Sequence, residues 1–392
     1  MKRFKDFILG FSIAAILFSV SNVNAADVLK NIQVFFKDMP VYVEGIRAEL
    51  TQKPMLYNGT TYLPMRTVAQ ILGKNVLYDE KTGSIYIYSE GNEPVINMNQ
   101  QKESNKVNDA EFVLYNIKIG DNKEHVINEL GNPDRQDASE YGFTWFIYNK
   151  DYKNYIQVGI KDGKVVGLYT NSASWQSKKG IKFGSTGAAV KKAYGEPLTY
   201  IQKGNVRYML NTDTKEANTF LIDDAYVTLF YDLHQNQTVT SILIIEKKTE
   251  HSLNSFYGKA SNELVKAYEM QIFDLANSVR VRNGLKPFVW DDQAAKSSLL
   301  HSEDMSKNNF FSHTNLKGQS PFDRMVAQGI KYSLAGENIA AGQTNAIYAH
   351  EGWMNSEGHR KNILGDFERL GVGVCFGGEY KIYYTQNFYT PR

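Results

Sequence analysis

Two histidines and a glutamate, His313, Glu337 and His359, fall within residues 309–364, in the segments NNFFSH, AGENIA and WMNSEGHR. Two imidazoles and one carboxylate brought in from separate loops can bind a divalent cation such as zinc and leave coordination positions for water. The same residues can instead orient or deprotonate a water while the histidines polarise a substrate. They can also form a buried network in which Glu337 accepts from both imidazoles and ties the loops to a sheet. Two other chemistries are excluded. His350-Glu351-Gly352-Trp353-Met354 lacks the second histidine of the H-E-x-x-H metalloprotease helix, and no G-x-S-x-G elbow occurs. His301, Ser356 and Glu357 are candidates for an outer supporting layer, with a solvated charge patch beside Glu303 and Asp304 as the alternative for His301. Gly336 and Gly358 suit special backbone geometry, and Ser312, Asn338 and Arg360 suit loop hydrogen bonds.

These side chains need elements to position them. Leu264, Ala267, Tyr268, Ile272, Leu275 and Val279 recur at helical spacing over residues 262–283, and Gly284 ends the stripe. Residues 291–308, 321–328 and 345–356 predict three more helices. LGVGVCF and KIYYTQNFY predict two antiparallel strands joined at GGEY. Helices around a short antiparallel sheet make a three-layer domain over residues 258–392.

Upstream, Ile117, Gly120, Val126, Gly131 and Pro133 recur as Ile181, Gly184, Val190, Gly195 and Pro197. Residues 111–250 therefore hold two copies of one unit, each a helix (123–130, 188–194) followed by aromatic strands such as TWFIY, YIQVGI and YVTLFYD. His125 and His234 have no partner visible in the sequence and read as surface histidines. Residues 31–90 predict a small β-rich module, with YNGT and DEKTGS as hairpin turns and one short helix between Pro64 and Gly73. Residues 91–110, rich in Asn, Gln, Lys, Glu and Ser, read as a linker.

Residues 1–25 have the pattern of a secretory signal peptide. Lys2, Arg3 and Lys5 precede an apolar run, and Val23-Asn24-Ala25 supplies the cleavage site. The run is shorter than the roughly 20 residues a membrane helix needs, so the mature chain is expected to be secreted, with no transmembrane span. Cys375 is the only cysteine, which forbids an intramolecular disulfide; in GVGVCFGG it reads as a buried strand residue. A formal net charge of +2 gives no pull toward nucleic acid, and 42% apolar residues suit a folded chain. Most of the 25 tyrosines and 21 phenylalanines should fill strands, and exposed ones in the first two modules could stack on sugars of an envelope polymer.

In order, LLHSEDMSKNNFFSHTNLKGQSPFDRM, AGENIAAG, WMNSEGHRKNIL, LGVGV and YYTQNF resemble the CAP superfamily of cysteine-rich secretory, antigen 5 and pathogenesis-related proteins. The resemblance implies an αβα sandwich with a cleft lined by a histidine after the second helix, a glutamate in GEN and a histidine in GH, matching His313, Glu337 and His359. Many eukaryotic members add a glutamate three residues after the tryptophan of the fourth helix. Here that position, after Trp353, is Ser356, and neither Glu351 nor Glu357 is a clean substitute. Residues 111–250 resemble the bacterial domain that precedes many CAP domains. NGTTYLPMRTVAQILG with its following hairpin resembles the copper amine oxidase N-terminal-like module. Residues 27–110 lack histidine and cysteine, so that module reads as a spacer or adhesive unit and not a copper site.

The expected molecule is an α+β multidomain chain: a small β-rich module, a duplicated helix-plus-antiparallel-sheet domain and a C-terminal αβα sandwich. Its expected role is extracellular and envelope-associated. It would bind an envelope polymer, lipid or protein, or a divalent metal, zinc on His313 and His359 being the candidate. A metal-dependent hydrolase acting on an extracellular polymer or peptide, and a purely structural envelope or spore-layer protein, are the alternatives. Binding is favoured over catalysis, and the sequence leaves the question open.

Overall fold

Glycine and proline punctuation divides the first part of the chain into short paired strands. The structure, a computed structural model, describes residues 110–210 and 215–392 and, within 35–89, all but 37–38, 44–45, 49, 51–52, 58 and 80–83. The expected signal peptide and nearly all of the expected linker lie outside the described residues. The chain divides into two units, residues 1–106 and 107–392.

In the first unit, β1 (Phe35–Phe36), β4 (Met55–Tyr57) and β5 (Thr60–Tyr62) form one antiparallel sheet. β2 (Val41–Val43) pairs with β3 (Ile46–Ala48), and β6 (Asn75–Asp79) pairs with β7 (Ser84–Tyr88). Helix α1 (Met65–Ile71) begins directly after Pro64 and stops before Gly73, whose φ of 64° is left-handed.

The second unit opens with the duplication. Helix α2 (Lys123–Leu130) leads into β8 (Arg135–Ala138), β9 (Thr144–Tyr148), β10 (Ile156–Lys161) and β11 (Lys164–Thr170). Helix α3 (Gly187–Tyr194) leads into β12 (Tyr200–Lys203), β13 (Val206–Met209), β14 (Ala217–Ile222), β15 (Ala225–Asp232) and β16 (Thr238–Glu246). The copies use the same anchor, since Gly120 N donates to Val165 O and Gly184 N to Val239 O, both at 2.8 Å. The two meanders fuse into one antiparallel seven-stranded sheet, β14-β15-β16-β11-β10-β9-β8, with β11 paired to β16. In the second copy the counterpart of β8, β12, pairs outside this sheet with an additional strand, β13. A short helix the sequence did not announce, α4 (Lys247–Ser252), follows the sheet.

Both faces of this sheet are covered. Val158, Leu168, Val227 and Ile242 pack with Val126 of α2 and Val190 of α3. On the other face Trp145, Tyr169, Phe230 and Leu243 pack with Leu275 and Ile347 from the C-terminal domain. That is why TWFIY and TSILIIE read as nearly continuous apolar runs and not as clean alternation.

The C-terminal domain comprises α5 (Asn262–Arg282), β17 (Val289–Trp290), α6 (Asp292–Asn308), α7 (Pro321–Ala327), β18 (Tyr332–Ala341), α8 (Ala346–Asn355), α9 (Glu357–Ile363), β19 (Arg369–Phe376) and β20 (Ile382–Pro391). Its sheet runs β17-β19-β20-β18, with β17 parallel to β19 and the other pairs antiparallel. Tyr268, Ile272 and Ala276 of α5 and Trp353 of α8 bury one face with Val372, Val374 and Phe388. Ala294 and Met305 of α6 and Met325 of α7 lie with Tyr383, Tyr389 and Ile339 on the other. The αβα sandwich is therefore present, with four strands where the sequence predicted two. Two strands were missed: β17 is two residues long, and β18 carries Gly336, Glu337 and Asn338 at its centre, which interrupts the apolar pattern a strand needs to be recognised. Cys375 lies on β19, as predicted, but is half-buried.

Among the described glycines, those of β19 lie closest to a neighbouring backbone, that of α6. A Cβ on Gly371 would lie 1.9 Å from Ala295 N, and one on Gly373 would lie 2.0 Å from Leu299 N. Ser298 Oγ donates to Gly371 O at 3.0 Å and Ser302 Oγ to Gly373 O at 2.9 Å, so small residues on the helix and glycines on the strand bring two backbones together.

An excised fragment of residues 258–392 would expose Leu275 and Ile347, which the seven-stranded sheet covers. It is expected to self-associate on size-exclusion chromatography while the full chain does not. A monodisperse fragment with the full chain's melting temperature would contradict that dependence.

Candidate functional site

Glu337 is in the middle of β18, in register with Asn387 of β20, and its side chain is 1% exposed. A carboxylate in that position needs partners, and it has them. Arg324 Nη2 donates to Oε2 at 2.6 Å, and His313 Nδ1 bonds Oε1 at 2.9 Å. The Asn387 carboxamide, with its nitrogen turned to Glu337, donates to Oε2 at 3.1 Å and accepts from Ser298 Oγ.

Local sequence explains how Arg324 arrives. Ser320 and Asp323 form a capping box around Pro321 at the first turn of α7, which fixes where the helix starts and turns Arg324 inward. Its Nη1 also donates to His313 O at 2.7 Å and Gln319 O at 3.1 Å, so one guanidinium holds both the glutamate and the histidine loop.

His313 is on the segment between α6 and α7, and its side chain is 50% exposed. With Nδ1 bonded to the carboxylate, a neutral ring carries its proton there and leaves Nε2 as a free acceptor. His359 is on α9, half-buried, its basicity lowered by burial and by the neighbouring His313. Asn338 Nδ2 donates to His359 O at 3.1 Å, and Asn362 Nδ2 reaches Glu337 O at 3.2 Å and Asn338 Oδ1 at 2.8 Å, bolting α9 onto β18. Gly336 makes that approach possible, because a Cβ there would meet Phe367 at 2.9 Å and Asn362 at 3.2 Å.

His313 and Glu337 thus meet, with His359 neighbouring His313, but the residues do not come from three loops: Glu337 is on a strand and His359 on a short helix. His301 is fully buried and not in a solvated patch. Its Nε2 lies 4.0 Å from Glu337 Oε1 and donates to Ser312 O at 2.9 Å, while Nδ1 has no partner. Burial lowers its basicity, with Glu337 opposing. Glu357 points away, paired with Lys361 at 2.8 Å on the exposed face of α9. Ser356 is at the start of that helix, and none of its described hydrogen bonds reaches the cluster. Glu351 faces the neighbouring sheet, where Ser241 Oγ donates to it at 2.6 Å and Tyr169 at 3.3 Å. Arg360 reaches Asp232 of the same sheet at 2.8 Å. His350 belongs to the interior, its basicity pushed down to about 3 by burial and by Arg282.

Among the described residues, no group of three or more His, Cys, Asp or Glu side chains is arranged to hold a metal ion. The donors open to a cation are the two imidazoles, because both Glu337 oxygens are engaged. Sequence reasoning missed Arg324, Asn362 and Asn387. The capping signature S-P-F-D immediately before Arg324 is the one signal that could have placed an inward arginine.

Residues 273–388 match the profile of the cysteine-rich secretory protein family (CAP), residues 119–256 that of the CAP-associated N-terminal domain, and residues 42–126 that of the copper amine oxidase N-terminal domain. The chain is 35% identical over 290 residues to the uncharacterized membrane protein YlbC of Bacillus subtilis (strain 168), covering 69% of this chain and 82% of that protein. It is 45% identical over 125 residues to the uncharacterized protein YkwD of the same organism, covering 32% of this chain and 48% of that one. Among solved structures, an extracellular protein containing an SCP domain from Bacillus anthracis str. Ames aligns with a TM-score of 0.60 at 31% identity, over 69% of this chain and 93% of that one. A cysteine-rich secretory protein from Staphylococcus aureus subsp. aureus Mu50 aligns with a TM-score of 0.57 at 18% identity, over 69% and 91%, a likeness of fold.

Proposed function

The chain belongs to the cysteine-rich secretory protein (CAP) family, and from that premise we propose that it is an exported, envelope-associated binding protein whose ligand meets the His313–His359 pair. One observation carries this reading. Glu337 spends both oxygens on orienting His313 and neutralising Arg324, which leaves His313 Nε2 free at a half-exposed position beside His359. A carboxylate that orients one imidazole nitrogen raises the donor strength of the other. Two imidazoles would hold a zinc ion there and leave its remaining positions to water or a ligand oxygen. The hydrolytic alternative needs a carboxylate free to take a proton from water, and Glu337 is sealed and already bonded.

The pattern of residues 1–25 and the extracellular description of the Bacillus anthracis protein support export. The membrane designation of YlbC fits attachment to the envelope. The first unit, without histidine or cysteine in residues 27–110, then acts as the spacer.

Zinc titration calorimetry on the full chain tests the reading. Wild type is expected to bind, and the double variant His313→Ala/His359→Ala is expected to lose binding. Glu337→Gln should weaken binding by about tenfold or more through misorientation of His313. A wild type indifferent to zinc removes the metal reading. A double variant that melts lower but titrates like wild type leaves the cluster as a structural staple.

A further inference from the structure

A cavity of about 460 Å³, remote from the His313 cluster, lies between the β14–β15–β16 side of the seven-stranded sheet, the β12–β13 hairpin, and the segment from Ala341 into α8. Its volume is in the range of small-molecule sites, about 300–1,000 Å³. Six aromatic side chains line it: Tyr141, Tyr208, Tyr226, Phe230, Tyr348 and Phe256. Ring faces carry partial negative charge, so a wall built this way favours apolar bodies and cations over anions. The wall already shows the preference, since Lys203 Nζ is 4.7 Å from the centre of the Tyr208 ring.

Three of the four carboxyl groups on the wall, Glu250, Glu351 and Glu140, differ in one respect. Glu250 takes Lys203 Nζ at 2.6 Å and the Tyr141 hydroxyl at 2.5 Å. Glu351 takes hydroxyls from Ser241 and Tyr169. Glu140 accepts the Asn345 amide at 2.6 Å, and among the described residues no cationic side chain pairs with it. It is a carboxylate in an aromatic chamber without a counter-charge.

We propose that this cavity binds a small organic cation, an ammonium group on an apolar body, with Glu140 as its counter-charge. The head would lie against Glu140, whose partners, the Asn345 amide and the Tyr268 hydroxyl, bring it no charge, and the body would lie against Phe230, Tyr348 and Phe256. The occupant would touch the sheet, the hairpin and α8 together.

Glu140 is pushed up to about 7 by burial; Glu250 acts in the same direction, and hydrogen bonds from its own backbone, the Asn345 amide and the Tyr268 hydroxyl oppose. The other groups facing it are Lys203 from β12, Tyr141 beside it, Tyr268 from α5, Tyr348 from α8 and Tyr384 from β20. An arriving ammonium stabilises the ionised form, so binding below pH 7 releases the Glu140 proton to solvent, and affinity falls as pH drops below that value.

Titration calorimetry of the full chain with three probes tests the proposal: phenethylamine, its neutral analogue phenethyl alcohol, and the anion hydrocinnamate. Phenethylamine is expected to bind about tenfold or more tighter than the alcohol, hydrocinnamate is expected not to bind, and the amine is expected to weaken as pH falls below about 7. Glu140→Gln should reduce the amine to the affinity of the alcohol, leave the alcohol unchanged, and remove the pH dependence. Gly352→Leu fills the chamber from α8, where a Cβ meets nothing within 4 Å, and should abolish binding of both while the melting temperature is kept. Equal affinity for amine and alcohol, tight binding of hydrocinnamate, undiminished amine binding by Glu140→Gln, or amine binding by a folded Gly352→Leu would each overturn it.

Discussion

Gly373→Ala is expected to cost the protein its fold. The added methyl would sit 2.0 Å from the Leu299 amide nitrogen and 2.3 Å from its Cα, and a helix backbone cannot turn aside as a side chain can. Relief requires lifting α6 off β19, which breaks the Ser302 hydrogen bonds to Gly373 O and Thr385 and carries His301 away from Glu337. The loss should exceed about 4 kcal/mol, read as a lowered midpoint in urea unfolding or as failure to accumulate soluble protein. Gly352→Ala is the control. That glycine is in α8 with free space around it, and alanine there should stabilise by up to about 1 kcal/mol. A Gly373→Ala protein within about 1 kcal/mol of wild type would mean the helix is not held so close.

Arg135→Met should loosen the join between the sheet domain and the sandwich by about 3 kcal/mol. Arg135 bridges Asp137 and Asp274 at 2.6 Å each, and the Asp274 side chain is 1% exposed. Asn149 and Tyr152 also reach Asp274, at 2.8 and 3.1 Å, but neither brings charge. Burial holds the Asp274 carboxyl above its ordinary value even with Arg135 beside it, and removing the guanidinium pushes it higher. A carboxyl that binds its proton more tightly folded than unfolded loses stability as pH rises from the unfolded value through the folded one. The variant should therefore fall further behind wild type at pH 7 than at pH 4. Adding Asp274→Asn should recover part of the loss and flatten the difference. Urea unfolding at the two pH values decides it, and a deficit that shrinks toward pH 7 would contradict the account.

Periodicity made the long helices legible: α6 buries one stripe, and α5, although buried on every side from Gln271 to Arg280, keeps its apolar residues at helical spacing. The duplicated anchors made the repeat legible. The site was legible in its three chemical residues and not in what holds them. β18 buries Glu337 and Asn338 at 7% and 0% exposure, and buried polar residues erase the alternation by which a strand is read. Their partners, Arg324, Asn362 and Asn387, come from three elements distant in sequence, and no local pattern announces such pairings. Glu357 shows the converse: closeness in sequence to His359 placed it near the cluster, and the helical turn carries it to the opposite, solvent side.

The β11–β16 seam has a symmetry of its own. With Val165 and Val239 as equivalents, Tyr169 faces its own counterpart, Leu243, and the pair Leu168–Ile244 exchanges with Thr170–Ile242. That is the self-complementary geometry of an isologous dimer contact, enclosed here within one polypeptide. Tethering the halves removes the requirement that they remain identical. One half pairs its first strand, β8, into the sheet, while in the other the equivalent strand, β12, pairs with an added strand, β13, to wall the aromatic chamber, an asymmetry two separate identical subunits could not have acquired.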